Sequence, residues 1–189
     1  VRGLSTAIQT GGGEVVIKTT RFGQVKVEEK EMLHFSEGIL GFADLKKFVL
    51  LDDPHDDIFA WLQSCDEPAV AFPVLEPELF SANSKLVLAK SDLEALKLKD
   101  SAESVQFCII TIPQDPALMT ANLKAPIVIN VATRSARQCV LQDNNLAIRE
   151  PIFSVLQQRV VQNSGKSLKS LGKSNIAVRV PAKDSEIGI

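Results

Sequence analysis

Few side chains in this chain of 189 residues are placed to do chemistry. The candidates are two histidines, His34 and His55, three cysteines, Cys65, Cys108 and Cys139, and an acidic run, DDPHDD, at residues 52–57. His55 among four aspartates could in principle hold a hard cation. A calcium loop, however, needs a glycine at its sharp turn and a closing glutamate, and this run has neither. It reads as a solvated acidic turn, with docking of a cationic partner as the functional alternative. His34 sits between Leu33 and Phe35 and reads as a partly buried structural histidine. Glu76 and Glu78 flank Pro77, but sequence neighbours do not face one another across a cleft as acid and base catalysis requires. No nucleophile motif, phosphate loop or dinucleotide fingerprint is present, and Gly11, Gly12 and Gly13 precede a strand-like run instead of opening a helix. The expectation is a protein that is not an enzyme and that uses no cofactor and no metal.

The cysteines are odd in number and far apart, with no CxxC pair, which favours buried reduced thiols over a disulfide framework or a zinc site. Apolar residues make up 45% of the chain, enough for one well-buried core, while no apolar run approaches the roughly 18 residues of a membrane span. The net charge of −2 conceals an asymmetry. Residues 1–152 carry fifteen basic and twenty-one acidic side chains, a net of −6, and residues 153–189 carry six and two, a net of +4. An acidic body repels phosphate and suits a basic protein partner. The basic tail has no aromatic residue on which a base could stack, so direct nucleic-acid binding is not expected.

Residues 1–13, VRGLSTAIQTGGG, read as a flexible leader outside the fold. Residues 15–20 and 25–28 alternate as two strands around Phe22 and Gly23. Residues 48–51, 58–63, 70–75 and 105–112 are further strands, separated by turn-forming segments, and residues 138–142 are expected to close the sheet. Residues 44–47 have room for one helical turn. Ser91 with Glu94 three residues on has the form of a capping box opening a short helix. Many short strands with little helix indicate a sandwich or a closed barrel. After Ile152, Phe153, Leu156, Val160 and Val161 recur at helical spacing and predict a short amphipathic helix. The Ser-, Gly- and Lys-rich stretch beyond it is expected to be mobile. The chain thus divides into a leader at 1–13, a body at 14–152 and a C-terminal extension at 153–189.

The stretch MTANLKAPIVIN at residues 119–130 places polar residues where a buried strand would not. Pro126 cannot donate to a ladder, so the stretch marks a sheet edge, bulge or turn. For Asn122 and Asn130 the plain alternative is a side-chain hydrogen bond to a nearby loop backbone. Together with Phe22 and Gly23, the segment FSEGILGFADLKKFVLL at residues 35–51, the lead-in Pro113, Asp115 and Pro116, and NNLAIREPI at 144–152, it resembles the FliW family of flagellar assembly factors. The resemblance runs from about residue 15 to residue 152, although Ser36 and Leu40 stand where the family usually has proline. It marks Phe22, Gly23, Phe35, Gly38, Gly41, Phe42, Pro126 and Asn130 as structural hallmarks. It implies a mostly β fold: a small antiparallel β-barrel-like domain with one or two short helices, followed here by a helical and flexible tail. It also implies a cytoplasmic regulator, monomeric when free, that binds the translational repressor CsrA and flagellin and so couples flagellin synthesis to export. A dedicated flagellin chaperone that ignores CsrA is the alternative. No membrane and no small-molecule substrate are implied. The expected partner-binding residues are Met119, Thr120, Asn122, Leu123 and Lys124 along the edge, with Asp53, Asp56 and Asp57 supplying electrostatic steering.

Overall fold

The structure is a computed structural model that describes residues 8–10, 13–81 and 86–181. The strands are β1 (Ile8–Thr10), β2 (Glu14–Thr19), β3 (Gly23–Glu28), β4 (Leu33–Phe35), β5 (Lys47–Asp52), β6 (Ala60–Ser64) and β7 (Ala71–Leu75). They continue with β8 (Ser104–Thr111), β9 (Thr120–Ala121), β10 (Ile127–Asn130), β11 (Ser135–Gln138), β12 (Glu150–Pro151) and β13 (Val178–Arg179). Among the described residues, two α-helices, α1 (Lys90–Ala95) and α2 (Phe153–Gln162), complete the set.

Strands β4, β5, β6, β7, β8, β10 and β11 pair in that order, and β11 returns to β4 to close a seven-stranded barrel. Six seams are antiparallel and the β11–β4 seam is parallel. An odd number of strands cannot alternate direction all the way round a closed ring, so one parallel seam is unavoidable in this otherwise antiparallel barrel. The closing strand is also earlier than the expected 138–142. Beyond β11, the N–H groups of Cys139 and Leu141 donate only singly, to the carbonyls of Pro126 and Lys124.

The pleat sorts each strand into an inner and an outer set. Leu33, Phe35, Phe48, Leu50, Ala60, Leu62, Val74, Phe107, Ile127, Ile129 and Ala136, from all seven strands, fill the interior. Phe35 and Phe48 meet there edge to face at 5.1 Å. The outward residues Val49, Leu51, Trp61, Leu75, Cys108, Ile110 and Val128 are buried as well, in a second cluster with Val15, Ile17, Phe22, Val25 and Val27 of the β2–β3 hairpin. Burial on both faces explains why β5 and β10 read as unbroken apolar runs. All three cysteines are buried and free, and burial pushes each thiol up to about 12, which keeps it protonated. His34, expected to be partly buried, is on the outer face of β4 and exposed, because its neighbours Leu33 and Phe35 take the inward positions.

Residues 36–46 fold over one end of the barrel, with Ile39 in the inner core and Phe42 edge to face with Phe72 at 5.3 Å. Gly38 and Gly41 make its turns at φ of +67° and +85°. Residues 44–47 form no helical turn, since Lys47 already opens β5. Helix α1 is where it was expected, but Ser91 does not cap it. The N-cap is Ala89, which leaves Ser91 inside the first turn. Its far end is held by Asn130, whose Nδ2 donates to Leu96 O at 2.8 Å while its Oδ1 accepts from Ala132 and Thr133.

Two expectations about the termini change. Residues 1–7 and 11–12 lie outside the described residues, but Ile8–Thr10 pair with β2, so part of the leader belongs to a sheet. Residues 163–181 are laid along the barrel: Leu168 is buried, and β13 pairs in parallel with Leu51 and Asp52 of β5. Composition alone made this segment look mobile, because its anchors are carboxylates and backbone groups far away in sequence.

Candidate protein-binding surface

The 119–124 segment is not an open edge. Strand β9 pairs with β8 on one side and with β12 on the other. The backbone of residues 146–152 satisfies what remains, with Leu123 N donating to Ala147 O and Ile152 N to Met119 O. Hydropathy could show the interruption at Pro126 but not the distant strand that pairs beside it. Met119 and Leu123 are buried, and Thr120, Asn122 and Lys124 are half-buried. Asn122 Oδ1 accepts from Lys124 N and Ala125 N at 3.0 Å each, and Lys124 Nζ donates to Asp143 O at 2.8 Å. These contacts build the turn before β10.

Met119 nevertheless reaches a surface. With Ile58, Phe153, Leu156, Val160 and Val161 it lines a groove of about 680 Å³ whose rim carries Gln157, Gln158 and Gln162. Helix α2 buries Leu156 against the body, while Val160 and Val161 remain 45% and 77% exposed. The helical spacing pointed to this helix, but it could not say that half of the apolar stripe would stay uncovered. Leu118, 66% exposed, adds to the apolar surface near Met119.

Ile58 joins this groove to the acidic turn, and the three aspartates expected to steer do different work. Asp56 is structural: Oδ1 accepts from Ile58 N and Phe59 N, and Oδ2 accepts from Trp61 Nε1, all at 2.9 Å. Asp53 Oδ1 accepts from His55 N at 2.9 Å. Asp57 keeps its side chain exposed and uses its carbonyl to accept from Leu168 N. Trp61 is a core residue, packed edge-on to Phe22 and covered by the Arg21 guanidinium 3.7 Å from its ring. Lys169, from the extension, pairs with the Asp52 carboxylate and donates to Asp53 O at 2.6 Å.

Glu76, beside Pro77, is buried, and its Oε1 accepts from Lys173 N and Ser174 N at 3.0 and 2.9 Å. Burial raises its carboxyl above the usual glutamate range, the two N–H donors oppose the rise, and Glu78 adds to it. A raised carboxylate contributes stability below its ordinary pKa of 4.5, and that contribution is lost as pH rises through the higher folded value. Glu76→Gln keeps an acceptor for both N–H groups and removes the titration. The fall in urea midpoint from about pH 5 to about pH 7.5 is therefore expected to be smaller in the variant. An unchanged fall would assign it to other groups.

Among the described residues no three His, Cys, Asp or Glu side chains are grouped to hold a metal, and no helix is long and apolar enough to cross a membrane. The matched region is clear. The FliW protein family model aligns with residues 16–152. The chain belongs to the FliW family. It is 65% identical to the flagellar assembly factor FliW of Bdellovibrio bacteriovorus over 156 residues, 82% of this chain and 89% of that protein. To the flagellar assembly factor FliW of Leptospira interrogans serovar copenhageni it is 37% identical over 140 residues, 74% of this chain and 93% of that protein. A crystal structure of the flagellar assembly factor FliW superimposes with a TM-score of 0.68 at 33% identity, covering 73% of this chain and 96% of that one. Within this FliW body lie Met119 and Ile58, whereas the α2 side of the groove and Lys169 lie beyond the residues that the family model matches.

Proposed function

We propose that this chain is a non-enzymatic cytoplasmic regulator that binds CsrA and flagellin in exchange, so that flagellin leaving by export frees it to hold CsrA off its message. Membership of the flagellar assembly factors carries the reading. The surface is consistent with it, since an apolar groove beside an acidic turn offers a contact area together with a field that attracts a basic partner. The docking surface is proposed to centre on Met119 and the half-buried Thr120, Asn122 and Lys124, with Leu123 supporting them from below and Asp53 and Asp57 steering.

Isothermal titration of the intact chain against CsrA from the same organism, alone and with flagellin already bound, tests this. Binding that flagellin abolishes supports the exchange. Tight flagellin binding with none to CsrA would instead favour the dedicated chaperone, for which the uncovered Val160 and Val161 are the supporting observation. Asp57→Asn is expected to slow association with CsrA about two- to threefold at low ionic strength and to flatten its salt dependence, with little change in stability. An unchanged association rate would remove the turn from the site.

A further inference from the structure

A heavily tethered surface segment lies outside the family core. Residues 168–180 run from the acidic turn, past Glu76, to the edge of β5. Leu168 and Val180 are the segment's fully buried apolar residues, and Ile176 and Val178 pack partly buried against the two core clusters. The remaining ties are polar. Lys169 pairs with the Asp52 carboxylate and donates to Asp53 O, Lys173 N and Ser174 N donate to Glu76, Leu168 N donates to Asp57 O, and Val180 N donates to Asp52 O. Gly172 packs directly on Glu76 Oε2, where a Cβ could not fit unless the carboxylate left its two donors. A cavity of about 270 Å³ remains between this strap and Ala60, Val74 and Phe107 of the barrel interior, so the two are not closely packed there.

The edge beneath is incomplete without the strap. On that side β4 pairs only with Lys47 and Phe48, which leaves Leu51 and Asp52 to β13, two residues long and parallel. A short edge that carries a carboxylate at Asp52, with a second carboxylate at Glu76 along the path of the strap, suits strand addition by a basic extended segment. All the hosting groups, Asp52, Asp53, Asp57 and Glu76, lie within the region that matches the family, and the strap lies beyond it.

We propose that the β5 edge with Asp52 and Glu76 is a docking site for an extended, lysine-bearing segment of a protein partner, and that residues 168–180 are its resident occupant, displaced when the partner docks. The chain's own tail shows the chemistry the site accepts: a lysine for Asp52, two consecutive N–H groups with a glycine before them for Glu76, and a short strand for β5. Because the strap holds the site closed for most molecules, the apparent affinity for a competing segment is reduced by the fraction that is open.

The test uses the full chain and a fluorescent peptide with the sequence of residues 166–181, KSLKSLGKSNIAVRVP. Gly172→Val puts side-chain atoms where the Glu76 carboxylate lies, and so breaks the hold between strap and Glu76 without changing the identity of any host residue. Fluorescence anisotropy is expected to give a Kd at least about tenfold tighter for Gly172→Val than for the wild-type chain. The gain is expected to disappear when Asp52→Asn is added. Lys169→Glu opens the strap by charge and serves as a second variant should the first not fold. Equal peptide affinity for the wild-type and opened chains, or no binding to an opened chain with a native circular dichroism spectrum, would overturn the proposal. The peptide is neither CsrA nor flagellin, so the outcome stands whichever way the titrations with those proteins fall.

Discussion

Gly38→Ala is expected to cost roughly 3–4 kcal/mol of unfolding free energy, a large share of the stability of a domain of this size. Two causes add. Gly38 sits at φ +67°, where a side chain is disfavoured by about 1–2 kcal/mol. A Cβ there would also lie 2.6 Å from Phe42 O and 2.7 Å from Ala43 O, both backbone atoms that no rotamer change can move aside. Relief requires the 36–46 loop to shift, and that loop carries Ile39 into the barrel. Gly41→Ala separates the two causes. It has φ +85° but nothing within 4 Å of its Cβ, so it is expected to cost only about 1 kcal/mol. Urea midpoints at constant m-value would measure both. Equal losses would mean that backbone conformation alone makes Gly38 matter.

Asp56→Asn is expected to cost roughly 2–3 kcal/mol, through a mechanism unrelated to steering. The asparagine oxygen can still accept from Ile58 N and Phe59 N, but its NH₂ then faces Trp61 Nε1, and two donors meet with no acceptor. Trp61 is the only tryptophan in the chain, so its emission reports the site directly. A red-shifted native spectrum together with a lower urea midpoint is the expected result. A native spectrum and midpoint equal to wild type would show that the carboxylate does not bind the indole in solution. Because of this role, Asp56 is a poor probe of long-range attraction, and Asp57, exposed one residue on, is the cleaner one.

Both cases show where local pattern ends. Gly38 and Gly41 were legible as hallmarks of the family motif, and Asn130 was legible as a residue that bonds a nearby loop. Glu76 and Lys169 were not. Nothing in the residues beside either one marks a partner, and each finds its partner about a hundred residues away in sequence. The 119–124 segment was misread for the related reason that an interrupted strand looks the same whether its free side faces water or a returning strand.

What the sequence by itself determined is the β-rich architecture with its FliW-type motifs, the β2–β3 hairpin around Phe22 and Gly23, the helix after Ile152 and the opposed charges of body and tail. These follow from interactions within about four residues, or from composition, and pleat and helix periodicity carry them. Only the tertiary structure decided that the seventh strand closes the barrel through a parallel seam, and that β12 takes the edge beside Met119. It alone showed that α2 leaves Val160 and Val161 uncovered and that a polar strap crosses the acidic turn. Each of these joins groups far apart along the chain, where register and burial are set by packing, and a one-dimensional pattern carries no record of which distant surface meets which.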